Sequence, residues 1–290
     1  MIKVLSEDAY QTTLANIDLG AIGNTKKASI MWDDGVARKS YVKVYNPDER
    51  CRKLCNEMIG YILGKSLNIL QPSMAALMPI SNFIKPEFQN ISDINCGGPV
   101  WAWVTSECGD SLKAQFRIKS EPNQEEFEQN NKFIAECINF LAKKDGLSEI
   151  IAFDDLIANN DRNLGNLVIT HDGSIGIIDH GEILGRIDWI QNLALLLNDQ
   201  YYRNLVLDIV TNFSEFQFQI RGASVLAYGK HKDAFLAVQK EISYWLGILL
   251  KLSNKSDAYQ MQCLLRVIDY LDTRSNQPAE AFAHRIGLVA

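Results

Sequence analysis

The side chains best suited to chemistry lie between Asn159 and Gly181, in the stretch N-N-D-R-N-L-G-N-L-V-I-T-H-D-G-S-I-G-I-I-D-H-G. Asn166 and Asp179 supply an amide oxygen and a carboxylate, donor types that suit a hard cation such as Mg²⁺, and Asp161 supplies a second carboxylate that could accept a proton. Leu167 to Thr170 and Ile175 to Ile178 read as two short strands around Asp172-Gly173, a dipeptide whose residues tolerate the positive φ of a tight primed turn. With those two as the turn residues, Thr170 faces Ile175, Val168 faces Ile177 and Asn166 faces Asp179. Opposed side chains share a sheet face about 5 Å apart, so each of Asn166 and Asp179 could give one oxygen to a single cation. A longer turn would break this register.

Asp161 precedes Asn166 by five positions, the separation of proton acceptor and metal ligand in the kinase catalytic loop H-R-D-x-x-x-x-N. Asp179-His180-Gly181 then stands where a D-x-G metal motif belongs. Asn159-Asn160 replaces His-Arg and His180 replaces the usual aromatic, so the pattern is not that of an ordinary protein kinase. The segments F-D-D-L-I-A-N-N-D-R-N-L-G-N and I-D-H-G resemble the HipA-like kinases, bacterial relatives of the phosphatidylinositol-kinase branch, whose loop is usually D-R-H-x-G-N. Asn163 occupies the place of that His, which touches how the loop is braced and leaves acid and amide in position. N-E-M-I-G-Y-I-L-G-K-S-L, from Asn56 to Leu67, resembles the corresponding helix of that family. The likeness runs from about Gly20 to Gly181. A calcium loop starting at Asp161 is rejected, because its sixth and twelfth positions need Gly and Glu and here are Asn166 and Asp172.

The resemblance implies an α+β, two-lobed kinase-like fold. Its small β-rich N-lobe (1–108) would carry one helix, and its larger, mostly helical C-lobe (109–290) the catalytic-loop hairpin. ATP would sit between the lobes. Asp161 would accept the proton of the attacking hydroxyl, Asn166 and Asp179 would hold Mg²⁺, and Lys43 braced by Glu57 would neutralise phosphate charge. The implied acceptor is a protein serine or threonine, with an antitoxin or other regulatory protein as a possible partner. The shortness of the chain implies that the extra N-terminal subdomain of full-length HipA proteins is missing. A pseudokinase, a lipid kinase or nucleotidyl transferase on the same fold, and a helical interaction module stay open as alternatives.

Composition narrows the classes. The 290 residues carry a net charge of −6, 47% hydrophobic and 22% charged residues, and no Lys/Arg-rich run, so a nucleic-acid partner is not expected. The start M-I-K-V-L-S-E-D lacks an apolar signal core, and the apolar stretch from Tyr244 to Leu252 is short and interrupted by Lys251. A cytoplasmic protein with no membrane partner is the expectation. Cys51, Cys55, Cys96, Cys108, Cys137 and Cys263 form no C-x-x-C pair and read as reduced packing thiols. His171, His180, His231 and His284 make no zinc pattern, and neither a G-x-S-x-G elbow nor an H-E-x-x-H helix occurs.

The elements that must position these groups can be read in order. Ala28 to Trp32, a turn at Asp33 to Gly35, and Arg38 to Tyr45 form a hairpin. Before it, Gly20 and Gly23 in L-G-A-I-G-N-T-K either let backbone N–H groups approach phosphate oxygens or form a plain loop. Lys43 lies late in S-Y-V-K-V-Y, with Tyr41 and Tyr45 on its face. A helix starts at once, with Asn46 as N-cap, Pro47 in the first turn, Asp48 and Glu49 at the positive end of the dipole, and one apolar stripe from Cys51 to Leu63. Glu57 on that helix pairs with either Lys43 or Lys53. Gln71 to Gly98 mixes a strand with loops, and Val100 to Thr105 is a strand with Trp101 and Trp103 in the core. In a kinase-like fold Ser106, Glu107 and Cys108 would be the hinge that meets adenine. Helices are expected through Phe133 to Leu141 and Ser148 to Ala158, and helical spacing marks Leu193 to Leu197, Leu205 to Ile209, Phe235 to Leu252 and Met261 to Leu271.

Overall fold

A computed structural model describes residues 2–17, 23–88, 99–213 and 217–288. The expected phosphate-loop residue Gly20 lies outside them, as do Cys96 and the rest of residues 89–98 of the Gln71–Gly98 stretch. The chain runs through β1 (Lys3–Val4), β2 (Tyr10–Ile17), β3 (Gly23–Met31), β4 (Ala37–Tyr45), α1 (Pro47–Ser66), β5 (Ala75–Ile80), β6 (Val100–Ser106), β7 (Asp110–Ser111) and α2 (Leu112–Gln115). It continues through α3 (Phe127–Leu141), α4 (Leu147–Leu156), β8 (Leu167–Ile169), β9 (Ile175–Ile177), α5 (Leu205–Phe213), α6 (Gln217–Tyr228), α7 (His231–Leu249), α8 (Asp257–Ser275) and α9 (Ala279–Arg285). A six-stranded sheet thus precedes a larger helical part, the two-lobed α+β arrangement of kinases.

The first sheet has the strand order β1-β5-β6-β4-β3-β2, parallel only between β1 and β5. Period-two alternation sorts its faces. Val42 and Val44 of β4 join Ala102 and Val104 of β6 in a cluster on one side, while Tyr45 and Trp103 join α1 in the main core on the other. Lys43 pairs in register with Trp103, so its side chain emerges on the α1 side among apolar neighbours. The β3–β4 turn forms at Asp33–Gly35 as expected, closed by Gly35 N–H to the Trp32 carbonyl at 3.0 Å, with Gly35 at φ +77°.

Asn46 caps α1 through its backbone only: its carbonyl accepts from Glu49 and Arg50, and its side chain makes no capping hydrogen bond. At the other end Asn68, at φ +57°, closes a Schellman turn in which Ile69 N–H reaches the Gly64 carbonyl. The apolar stripe predicts one buried face, and the structure corrects this: every residue from Arg50 to Gly64 is buried. The helix lies beneath the sheet with α7 packed along it, so even its polar face is enclosed and must find partners inside the protein.

The second sheet, β7-β8-β9, contains the predicted hairpin with its register corrected by one residue. Leu167 pairs with Ile177, Val168 with Gly176 and Ile169 with Ile175. The loop holds three residues rather than two: Thr170 N–H bonds to the Ser174 carbonyl at 3.0 Å and Gly173 sits at φ +80°. Asn166 therefore opposes Ile178, whose N–H donates to the Asn166 carbonyl at 3.1 Å, and Asp179 is not its cross-strand partner. Farther on, Leu193 to Leu197 makes only a single 3₁₀ turn, with Leu195 and Leu197 exposed, whereas the other three predicted C-terminal helices appear as α5, α7 and α8. The helical part is tied to α4 by Asp155, which accepts from Arg274 at 3.2 Å and from Arg285 at 2.7 Å.

Gly60 of α1 packs against the Asp179–Gly181 segment so closely that a Cβ there would overlap His180 Cγ. Gly60→Ala is expected to destabilise by about 1–3 kcal/mol through overpacking. Gly222→Ala in α6, where a Cβ meets nothing within 4 Å, should instead stabilise by about 0.5–1 kcal/mol. Urea unfolding of both variants checks the pair, and a neutral Gly60→Ala would refute the close approach.

Candidate active site

Four elements bring six of the sequence-predicted residues to one cleft, whose lining does not include Asp161. Lys43 from β4, Glu57 from α1, Asn166 at the start of β8 and Asp179 after β9 all line it, together with Ser106 and Cys108 at the end of β6. Lys43 Nζ lies 2.8 Å from Glu57 Oε1 and 3.0 Å from Asp179 Oδ1. Of the two partners open to Glu57 in the sequence, the structure selects Lys43, and Lys53 pairs with Glu182 instead. Burial works against the Lys43 ammonium, but the Asp179 and Glu57 carboxylates outweigh it and raise its pKa.

Glu57 is 1% exposed and its carboxylate is fully engaged. Oε1 also accepts from Tyr45 Oη at 2.7 Å, and Oε2 accepts from His180 N–H at 3.0 Å. Asp179 reaches the cleft through a left-handed backbone at φ +63°. Desolvation in the cleft pushes its carboxyl up, but the Lys43 charge and hydrogen bond win and hold it below the usual carboxylate range, so it is ionised at neutral pH.

Asn166 spends its amide N–H on the Asp161 carbonyl at 3.0 Å, which leaves Oδ1 as a free acceptor. Asp161 lies at the far end of that hydrogen bond. Its N–H donates to Asn159 Oδ1 at 3.0 Å, and its carboxylate stands 3.5 Å from Arg186 Nη1. Burial raises the Asp161 carboxyl, and Arg186 opposes the rise. Asn163 Oδ1 accepts from Gly165 N–H at 2.8 Å in a local turn. The loop is braced from below by Arg162, which is fully buried. Its guanidinium bonds to Asp154 at 3.1 Å and to His180 Nδ1 at 3.2 Å.

The hinge stretch is placed unevenly. Ser106 N–H bonds to the Met74 carbonyl at 3.1 Å and Glu107 N–H to the Lys39 carbonyl at 2.9 Å, so both donors are used inside the protein. The Glu107 side chain pairs with Lys27 and does not line the cleft. Gly23 opens β3 opposite Tyr45. Gly109, at φ +152°, carries the chain from the first sheet to the second where a Cβ would strike the Ile169 carbonyl oxygen. Sequence reasoning missed Asp154, Arg186, Tyr61 and Gln71, whose only signal was position; the last two line the cleft.

No family model matches the chain, and no curated protein matches it. Among solved structures, the crystal structure of a Helicobacter pylori proinflammatory kinase, CtkA, aligns with a TM-score of 0.50 and 14% identity, covering 98% of this chain and 99% of that one. The fold is kinase-like. Among the described residues no three His, Cys, Asp or Glu side chains converge on a metal position, and no helix is long and apolar enough to cross a membrane.

Burial, with the Arg162 charge beside it, pushes the His180 imidazole well below its ordinary range, so the ring is neutral and Nδ1 accepts from Arg162. The unfolded chain takes up a proton at about pH 6.5 that folded His180 refuses. Its contribution to stability is therefore complete above that pH and is lost on acidification at about 1.4 kcal/mol per pH unit. His180→Phe is expected to flatten the pH 6.5-to-5 slope of unfolding free energy by about one proton. His231, held at about 3 by burial, keeps its own share. An unchanged slope would refute a neutral His180.

Proposed function

We propose that this protein is an ATP- and Mg²⁺-dependent phosphotransferase with a hydroxyl acceptor and, by its resemblance to HipA-like kinases, a serine/threonine protein kinase. The observation that carries the reading is the ion-pair chain Glu57–Lys43–Asp179, which crosses the cleft at 2.8 and 3.0 Å opposite Asn166. A lysine held between two carboxylates is an ammonium kept charged and aimed, the requirement for neutralising phosphate oxygens.

Each residue then takes a role its surroundings suit. Asp161 accepts the acceptor hydroxyl proton at its carboxylate. Lys43 meets the α- and β-phosphates, with Glu57 fixing its ammonium. Asn166 Oδ1 and Asp179, being too few to form a cage of their own, fit a cation whose coordination is completed by phosphate oxygens and water. Mg²⁺ bound there would neutralise charge on the transferred phosphoryl group. The adenine edge would lie against the Cys108 peptide, since the Ser106 and Glu107 N–H groups are already used, with Gly23 at the start of β3 on the phosphate side; the other glycine of that expectation, Gly20, falls outside the described residues. The lobes meet between Cys108 and Gly109, with the N-lobe at 1–108 and the C-lobe at 109–290. A protein acceptor and an antitoxin-like regulator are the partners this reading implies.

Incubation with γ-labelled ATP and Mg²⁺, followed by mass spectrometry of the protein and of candidate acceptors, tests the activity directly. Asp161→Asn is expected to lower transfer about 10²–10⁴-fold while leaving the fold intact, and a near-normal rate would remove Asp161 from the base role. In thermal melts, Mg²⁺-ATP should stabilise the wild type more than ATP with a chelator, and Asp179→Ala should lose that increment. Val210→Ala, in the core of the helical part, should lower the melting temperature and keep it. Equal increments in wild type and Asp179→Ala would place the metal elsewhere.

A further inference from the structure

Asp179 is held in a conformation that side chains with a Cβ seldom adopt, φ +63°, at a cost of about 1–3 kcal/mol that neighbouring contacts must offset. Before it, Arg162 Nη1 donates to the Ile178 carbonyl at 2.5 Å and to the Asp179 carbonyl at 3.2 Å. After it, the chain is held from α1. Asn56 Nδ2 donates to the Gly181 carbonyl at 2.9 Å and the Ile183 carbonyl at 3.3 Å, and Asn56 Oδ1 accepts from Trp189 Nε1 at 3.1 Å.

Asn56 is completely buried, and both ends of its amide are in use. It belongs to a helical row at three- and four-residue spacing: Lys53 pairs with Glu182, Glu57 accepts from His180 N–H, and Gly60 meets the His180 ring. Lys53, Glu57 and Gly60 each hold a single point. Asn56 alone spans two carbonyls beyond Asp179 and is itself fixed by a buried indole. An aspartate could not donate to those carbonyls, and an apolar residue would leave them, and the Trp189 N–H, without partners.

We propose that Asn56 is a positioning residue for the metal-binding carboxylate: by holding the backbone after Asp179 it sets where that carboxylate points, and so the affinity of the site for a nucleotide-bound divalent cation. This rests on the phosphotransferase reading above. Groups that orient a metal ligand typically contribute 10–100-fold to metal affinity, so the effect belongs in the cation dependence rather than in folding alone.

The test is the free Mg²⁺ concentration giving half of the ATP-dependent thermal stabilisation. Asn56→Leu keeps the side-chain volume and removes all three hydrogen bonds; it is expected to raise that midpoint at least tenfold. Asn204→Leu is the control. Asn204 is a comparably buried amide in the helical part, donating to the Ile151 carbonyl at 2.8 Å and accepting from Leu207 N–H at 3.0 Å. It should lower the melting temperature and leave the midpoint unmoved. If Asn56→Leu does not fold, Trp189→Phe removes only the indole donor and should shift the midpoint in the same direction by less. An unchanged midpoint in whichever of these variants folds overturns the proposal, as does an equal shift in Asn204→Leu. A wild type with no Mg²⁺-ATP stabilisation overturns the phosphotransferase reading itself, and the role of Asn56 with it.

Discussion

The carboxylate of Glu57 is the contact on which the rest of the site depends. Leaving such a charge buried without partners would cost several kcal/mol, and three donors from two parts of the chain satisfy it: Lys43 and Tyr45 from β4, and the His180 N–H from the segment after β9. Sheet, helix and the Asp179–Gly181 segment therefore have one arrangement in which all three bonds form. Lys43 is aimed as a consequence, and its second partner, Asp179, closes the chain of charges across the cleft.

A second buried charge does the same work from the helical side. Arg162 has no exposed surface, and its guanidinium reaches Asp154, the Ile178 and Asp179 carbonyls and the His180 ring. This gives a physical account of the departures from the usual kinase pattern. His180 serves as a neutral acceptor packed edge-on against Phe153, 6.0 Å between ring centres, a place where an apolar aromatic would fill space but could not take the Arg162 hydrogen bond. Asn159, two positions before the acid, bonds to Asp154 and to the Asp161 N–H, and Asn163 tightens the turn into Gly165.

Backbone strain is concentrated on the same side of the cleft. Ala158, Asp179, Leu184 and Arg186 all take positive φ without being glycine. Backbone bonds from Leu184 to Ile157 and from Gly185 to Ala158 lace the two strained segments together. Such conformations persist where surrounding contacts over-determine them, and here those contacts come from buried side chains on α1 and from Arg162.

Much of this protein was legible in its sequence because the signals were local. Period-two alternation gave β4 and β6, capping chemistry and apolar spacing gave α1, and the spacing of Asp161, Asn166 and Asp179 marked the candidate site. What the sequence left open was decided by packing. Asp172-Gly173 suits a two-residue turn, yet the hairpin closes over three residues; the choice moves each cross-strand partner by one position, and Asp179 joins the cleft through a left-handed backbone rather than a strand face. Glu57 had two lysines within reach, and only the enclosure of α1 on all sides settled that it turns to Lys43 while Lys53 goes to Glu182. The partners of Asn56 and Arg162 lie more than one hundred and up to eighteen positions away respectively. Local patterns fix which elements form and which residue types are available for chemistry. Which buried polar group meets which is decided only when the elements pack and water is excluded, because only then does an unmet hydrogen bond become costly enough to choose between alternatives.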